Sequence, residues 1–420
     1  MTSHLDTNTK LFPAQNNRSP RLAPATRAVQ AGLGSDTAHG AVVPPLYLSS
    51  NFTFAGFDDK RPYDYTRSGN PTRDQLADAL ASLEGGAGAV VTSSGMSAVH
   101  LPLQFLEPGD LLVAPFDGYG GTCRLLRALE KRGAIRLLFA DLSNPDERDA
   151  VLSGQTGHGL PRMVWVETPS NPLLRITDLE AVSRLAHAND ALVVADNTFL
   201  SPALQRPLEF GADLVVHSTT KYLNGHSDVV GGAVIAATEE LHEQVAWWAN
   251  CIGITGAPFD SYLTLRGVRT LDARLRVHLQ NAAAIVDLLS GHPAIEKVYY
   301  PGLSDHPGHA VAARQQDGFG AMISFELRGG LDGVRAFLGG LERFLLAESL
   351  GGVESLIAHP ATMTHAAMDP EDRRRAGIGD ALLRFSVGIE DTRDLVRDVE
   401  AGLDRVLASA RTERLCAALA

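Results

Sequence analysis

The sequence predicts an α/β chain, with a large domain on a mostly parallel sheet and a smaller C-terminal α/β domain. Three observations carry the prediction. Seven short apolar runs, "AGAVVTSS", "DLLVAP", "IRLLFAD", "RMVWVETP", "ALVVADN", "DLVVHS" and "VVGGAVIA", recur between residues 87 and 236. They are rich in Val, Leu and Ile with little polar alternation, as strands buried on both faces are. Helical or turn segments separate them, which is the rhythm of βα units. Finally, 420 residues exceed what one hydrophobic core usually organises.

The elements follow in order. Residues 1–24, "MTSHLDTNTKLFPAQNNRSPRLAP", are polar and lack an apolar period, so a disordered tail is expected. Residues 25–67 are irregular and proline-broken. A segment of that kind in an enzyme is functional or packs on a partner, and it reads as an arm contacting a neighbouring subunit. "TRDQLADALASLEGG" has helical spacing and a glycine stop, and it opens the large domain, 68–270. "AGAVVTSSGMSAVHLPLQFL" reads strand, turn, helix. A long helical pattern, "FDSYLTLRGVRTLDARLRVHLQNAAAIVDLLSG", leads into the small domain, 271–420, where "AMISFEL", "GVRAFLGGL" and "LLRFSVGI" alternate strands and helices.

Composition narrows the function. The net charge of −12 argues against nucleic acid and anionic membrane as partners. No apolar run approaches the roughly 20 residues needed to span a bilayer, and the N-terminus lacks the order of a signal peptide. Cys123, Cys251 and Cys416 are scattered, odd in number and outside metal-ligand spacing, which fits a reducing, cytoplasmic setting and no metal.

The chemistry concentrates in "DLVVHSTTKYLNGHSDVVGGAV". A buried strand delivers Lys221 among small polar groups, where a lysine with little charge nearby loses its proton and becomes a nucleophile or base; a salt-bridged surface lysine is the alternative. Asp196 follows the apolar run of "ALVVADN" and stands at the same carboxyl edge, where open α/β sheets bind ligands. Alone it would read as a turn aspartate. Together, a lysine and an aspartate at the ends of consecutive strands suit pyridoxal 5′-phosphate (PLP): the lysine bonds the carbonyl carbon and the carboxylate keeps the pyridine nitrogen protonated.

A phosphate cup is available at Ser94, Gly95 and Met96, where a strand turns into a helix and backbone N–H groups meet the positive end of its dipole. An ordinary capped turn explains the same residues. Ser218 and Thr220 would add hydroxyl donors. Tyr119 sits at a glycine-loosened turn, free to stack on a flat ring or simply to pack. Tyr65 and Arg67 lie in the arm. Arg384, inside the apolar "ALLRFSVGI", asks for an anion, either a substrate carboxylate or an internal salt bridge.

With these residues in hand, the chain resembles the Cys/Met-metabolism family of PLP-dependent enzymes over essentially its whole length beyond the tail. "YTRSGNPTR", "SSGMSA", "ETPSNPLLR", "DNTFLSPALQRPLEFGAD" and "ESLGGVESLIAHPATMTH" carry the likeness beside the lysine segment. The resemblance implies the aspartate aminotransferase-like fold type I, Lys221 as Schiff-base lysine and proton shuttle, Asp196 on the pyridine nitrogen and Tyr119 on the ring. It also implies a phosphate held by the Gly95 and Met96 backbone with Ser94, Ser218 and Thr220, and by Tyr65 and Arg67 of a neighbouring subunit. Asn171 would contact the cofactor's phenolic side, and Ser349 and Arg384 would orient a substrate α-carboxylate.

"VVPPLYLSSNFTF", "AWWANCIGITGAPFDSYLTLRGVRTL", "ARQQDGFGAMISFEL" and "FLLAESLGGVESL" resemble the bacterial cystathionine γ-synthases of the family, whose positions matching Asp64, Arg124, Asn250 and Glu348 are linked to substrate binding. The implied reaction is γ-replacement: O-succinyl-L-homoserine, or another O-acylhomoserine, and L-cysteine give L-cystathionine. Cystathionine γ-lyase chemistry and sulfhydrylation of the same ester are the alternatives. One departure bears on them: Ser68 follows Arg67 where the bacterial synthases often carry a second arginine, and the spelling "RSGNPTR" is similar to that of γ-lyases. Gly120 after Tyr119 differs from the cysteine of methionine γ-lyase. The family implies a homotetramer, a dimer of dimers with shared sites.

Overall fold

A computed structural model describes residues 22–419 except Ala367 and Asp369, so the expected tail falls, up to residue 21, outside the described residues. All seven predicted runs form strands: β1 (Gly88–Thr92), β2 (Leu111–Pro115), β3 (Arg136–Ala140), β4 (Met163–Glu167), β5 (Leu192–Asp196), β6 (Leu214–His217) and β7 (Gly232–Ala236). They make one sheet in the order β1-β7-β6-β5-β4-β2-β3. Its β6-β5-β4-β2-β3 pairs are parallel, and β7 runs antiparallel to both neighbours. Strands β2, β4, β6 and β7 are buried at every position, as their unbroken apolar character requires.

The second sheet orders β10-β11-β12-β9-β8, with β8 (Ile295–Tyr299), β9 (Met322–Leu327), β10 (Leu345–Leu346), β11 (Leu356–Ala358) and β12 (Leu382–Ser386). The run "GVRAFLGGL" forms the helix Gly330–Leu338 that covers it. The long helical pattern is two helices, Pro258–Val268 and Leu271–Leu289. Arg274 explains the break. It reaches back from the second helix and donates to the Gly267 carbonyl at 2.9 Å and to Leu223 O at 3.3 Å. The helix Leu271–Leu289 starts among the core residues of the first sheet, at Leu271 and Leu275, and ends in the core of the second, at Ile285 and Leu289.

Within the arm, Pro24–Gln30 is helical (α1), a turn the sequence pattern missed. Proline at its start and Ala28 packed in the core stabilise so short a helix. The rest is irregular, held by isolated bridges such as Asn51–Tyr65, and Val42, Leu48, Phe54 and Phe57 are exposed along it. The predicted helix after the arm is α2 (Pro71–Glu84), whose N-cap Asn70 accepts from Thr72 and Arg73 N–H and whose stop, Gly85, is left-handed at φ 81°.

Candidate active site

Adjacent strand ends deliver the polar groups. β4 ends on Glu167 and β5 on Asp196, paired in register, and the chain leaves β6 through the turn that holds Lys221. Facing them are the first turn of α3 (Gly95–His100) and the N-cap of α4 (Gly120–Lys131), which is Tyr119. The second sheet closes the space with Arg384 from β12 and the loop Glu348–Ser349. The result is a cavity of about 720 Å³ lined by Ser94, Gly95, Met96, Tyr119, Arg124, Asn171, Asp196, Ser218, Thr220, Lys221, Glu348, Ser349 and Arg384. Every one of these is a residue the sequence singled out.

Lys221 Nζ donates to Ser349 Oγ at 2.8 Å. Burial lowers the amine from its ordinary 10.5 to about 8, with Arg384 adding to the fall and Glu348 opposing it. At neutral pH an appreciable fraction is therefore unprotonated and nucleophilic. Ser349 has φ 96°, a conformation disfavoured for a side chain by about 1–3 kcal/mol. It places the hydroxyl on Lys221 while its carbonyl accepts from Arg384 Nη2 at 3.2 Å.

Arg384 is buried, and no carboxylate pairs with it among the described residues. Nη1 donates to Asn171 Oδ1 at 2.7 Å, Nη2 to Ser349 O, and Nε has no acceptor. Burial pulls the guanidinium down to about 10. A buried cation with an unused N–H is a receptor for an anion.

Asp196 presents the complementary vacancy of charge. Thr198 N–H donates to its Oδ1 at 3.0 Å, yet the carboxyl has no ion-pair partner among the described residues, and burial raises its pKa. A protonated pyridine nitrogen is a group that would relieve it. At the cup, the N–H groups of Gly95 and Met96 open α3 without an intrahelical acceptor. A Cβ on Gly95 would stand 2.8 Å from Ser218 Cβ, so glycine permits that approach. Gly232 is bound likewise, since a side chain there would collide with Ser94 O. Ser218 lines the cavity. The Thr220 hydroxyl is instead engaged with Gly231, donating to its carbonyl at 3.2 Å and accepting from its N–H at 3.0 Å. An aldehyde acceptor, a cationic nitrogen acceptor and an anion cradle in one cavity fit PLP.

Two residues were missed. Glu167 Oε2 accepts from Tyr119 N–H at 2.7 Å and Oε1 from Asn171 N–H at 3.0 Å, so one buried carboxyl sets both cavity walls. Burial and the adjacent Asp196 hold it well above the usual carboxylate range. Its signal was present, because "MVWVE" ends as "LVVAD" does. His365, lowered to about 4 by burial, is neutral and contacts Asn171 O at 3.1 Å. Four expected residues lie outside the cavity of their own chain. Asp64, Tyr65 and Arg67 are in the exposed arm, with Ser68 Oγ donating to Asp64 Oδ1 at 3.0 Å, and Asn250 is exposed on the helix Glu239–Ile252.

Comparison with known proteins agrees with this geometry. The profile of the family described as Cys/Met metabolism PLP-dependent enzyme matches residues 25–404. Cystathionine γ-synthase of Escherichia coli (strain K12) is 57% identical over 379 residues, 90% of this chain and 97% of its own. Cystathionine γ-synthase from Xanthomonas oryzae pv. oryzae, solved in complex with aminoacrylate and cysteine and also with cystathionine, superposes with TM-score 0.90 at 63% identity, covering 93% of this chain and all of that one. Cystathionine γ-lyase from Lactobacillus plantarum, complexed with L-serine, is similar at 40% identity and TM-score 0.87, over 92% of this chain and 100% of its own.

Proposed function

Because the chain belongs to the Cys/Met metabolism PLP-dependent enzyme family, we propose that it is a cystathionine γ-synthase, joining O-succinyl-L-homoserine, or another O-acylhomoserine, to L-cysteine. The products are L-cystathionine and the free carboxylic acid. The observation that carries this reading is the pairing, in one cavity, of a lysine amine lowered to about 8 with a buried arginine that lacks a carboxylate.

When bound, PLP supplies the electron sink that makes protons on Cα and Cβ of the substrate removable. Lys221 and Asp196 are assigned to its aldehyde and ring nitrogen, Tyr119 to its face, Asn171 to its phenolic side, and the Gly95–Met96 backbone with Ser94, Ser218 and Thr220 to its phosphate. For Thr220 that contact requires its hydroxyl to turn from Gly231. Arg384 and Ser349 hold the substrate α-carboxylate, which fixes Cα beside Lys221. Lys221 Nζ would take the α proton and, once it has given that proton up and regained its lone pair, the β proton. The γ-acyloxy group departs with its electron pair, the thiolate of cysteine forms the C–S bond at Cγ, and Lys221 returns the protons. Glu348, Arg124, Asp64 and Asn250 are assigned to the substrates.

Tyr65 and Arg67 are assigned to the phosphate of a second copy, which makes the working unit at least a dimer and, by family likeness, a tetramer of two dimers. The exposed apolar side chains of the arm support this, since patches of that kind mark contact surfaces. No described helix is long and apolar enough to cross a membrane. A cytoplasmic location is supported by free Cys123 and Cys251.

γ-Lyase chemistry is the second reading, favoured by Ser68, whose hydroxyl caps Asp64 where a second arginine would add charge. Mass spectrometry of two incubations separates them. The synthase gives rapid cystathionine and succinate from O-succinylhomoserine plus cysteine, and little 2-oxobutyrate from cystathionine alone. The reverse pattern establishes the lyase.

A further inference from the structure

Arg67 combines a fixed backbone with an unpaired side chain. Its neighbour Thr66 is held on two sides: the N–H donates to Ser50 O at 2.9 Å, and the hydroxyl accepts from Asn70 Nδ2 at 3.2 Å. The N–H groups of Ser68 and Gly69 return to Tyr65 O at 3.0 and 3.2 Å, closing a turn around Arg67. The Arg67 carbonyl accepts from Arg73 Nη2 at 3.4 Å. Its guanidinium, by contrast, is exposed, 5.8 Å from the Tyr65 ring centre, and meets no carboxylate among the described residues.

Arg73 is the costly member of this arrangement. It lies in the first turn of α2, where the helix dipole disfavours a cation. It is 6% exposed, with no ion-pair partner among the described residues, and burial lowers its pKa. A buried charge held without a counter-ion is poor value for stability; what it supplies is geometry. Its fork spans three acceptors: Arg67 O, Gly256 O at 3.3 Å and the Thr255 hydroxyl. Thr255 and Gly256 follow the helix Glu239–Ile252 and lie against β1. Gly256 N–H donates to Val91 O at 3.0 Å, and a Cβ at 256 would stand 2.7 Å from Val91 Cγ1. The guanidinium therefore ties the turn of the arm to a strand of the first sheet.

We propose that Arg73 is a positioning residue for the cofactor site of a neighbouring copy: its forked guanidinium holds the arm turn so that Arg67 is presented to that copy's phosphate. This rests on the assignment of Arg67 to the phosphate of a second copy. A lysine at 73 keeps the charge but loses the planar fork that reaches Arg67 O and the Thr255–Gly256 loop together.

The test reads the cofactor load of Lys221. Parent, Arg73→Met, Arg73→Lys and Arg67→Ala proteins are brought to equilibrium with PLP by dialysis and fixed with borohydride. The labelled fraction of the Lys221 peptide is then measured across PLP concentration. Each variant should need about tenfold more PLP than the parent for half-labelling, the scale of one charge-assisted hydrogen bond. Each is then co-expressed with an excess of Lys221→Ala copies, whose arms are intact and which contribute no Lys221 peptide. Half-labelling should return to within twofold of the parent, because the arm now comes from the neighbour. If Arg67→Ala is restored and Arg73→Met is not, Arg73 acts within its own chain and the proposal falls alone. If neither is restored, the assignment of Arg67 to a second copy fails with it. Parental labelling by Arg73→Met or Arg73→Lys alone overturns the role of the fork. An Arg73→Met copy that unfolds and stays unlabelled beside intact arms makes Arg73 structural and overturns it too.

Discussion

Replacing Arg384 by methionine separates function from stability at one residue. Burial lowers its guanidinium from 12.5 to about 10, and at about 1.4 kcal/mol per tenfold the charge is held at a cost of roughly 3 kcal/mol. Arg384→Met relieves that cost. It also leaves Asn171 Oδ1 and Ser349 O without their donor, a loss of about 1–3 kcal/mol each. The two effects are of similar size, so thermal unfolding should move by less than about 3 °C. Catalysis should not be spared. Loss of the forked contact to the α-carboxylate removes about 3–5 kcal/mol, a fall in kcat/KM of at least about a hundredfold. Calorimetric unfolding and steady-state kinetics on the same preparation read both. A melting temperature lower by 10 °C with activity retained would instead make Arg384 a structural cation.

Two further outcomes follow from the same geometry. Uptake of PLP by the apo-protein needs the neutral Lys221 amine, so its rate, followed by absorbance, should rise about tenfold per pH unit below about 8 and level off above it. The same lowered value sets the stability sign: the buried cation destabilises the fold fully below about 8, and the penalty fades as pH rises toward 10.5. A pH-independent uptake rate would contradict both statements. Gly95→Ala introduces a methyl 2.8 Å from Ser218 Cβ, so this turn must shift; equilibrium dialysis should show PLP affinity reduced at least about tenfold, and unchanged affinity would remove the cup from this turn.

What the sequence disclosed follows from burial. Strands β2, β4, β6 and β7 of the first sheet are buried at every position, so each prints an unbroken apolar run. β8 was unreadable because Glu296 and Lys297 are exposed, and β10 and β11 span only two and three residues. Lys221, Asp196 and Arg384 stood out as polar residues adjoining apolar runs, and Glu167 carried the same mark at the end of β4. His365 left no trace, since its contact with Asn171 joins positions 194 apart. Tyr65, Arg67, Asp64 and Asn250 could be read only through family likeness. None of them lines the cavity of its own chain.

The most direct test asks which lysine carries the cofactor. Borohydride fixes PLP to whichever amine holds it, and peptide mapping by mass spectrometry locates the label. Label should appear on the peptide containing Lys221 and be abolished in Lys221→Ala while PLP-free folding persists. Label on any other lysine, or equal label in the variant, would contradict it.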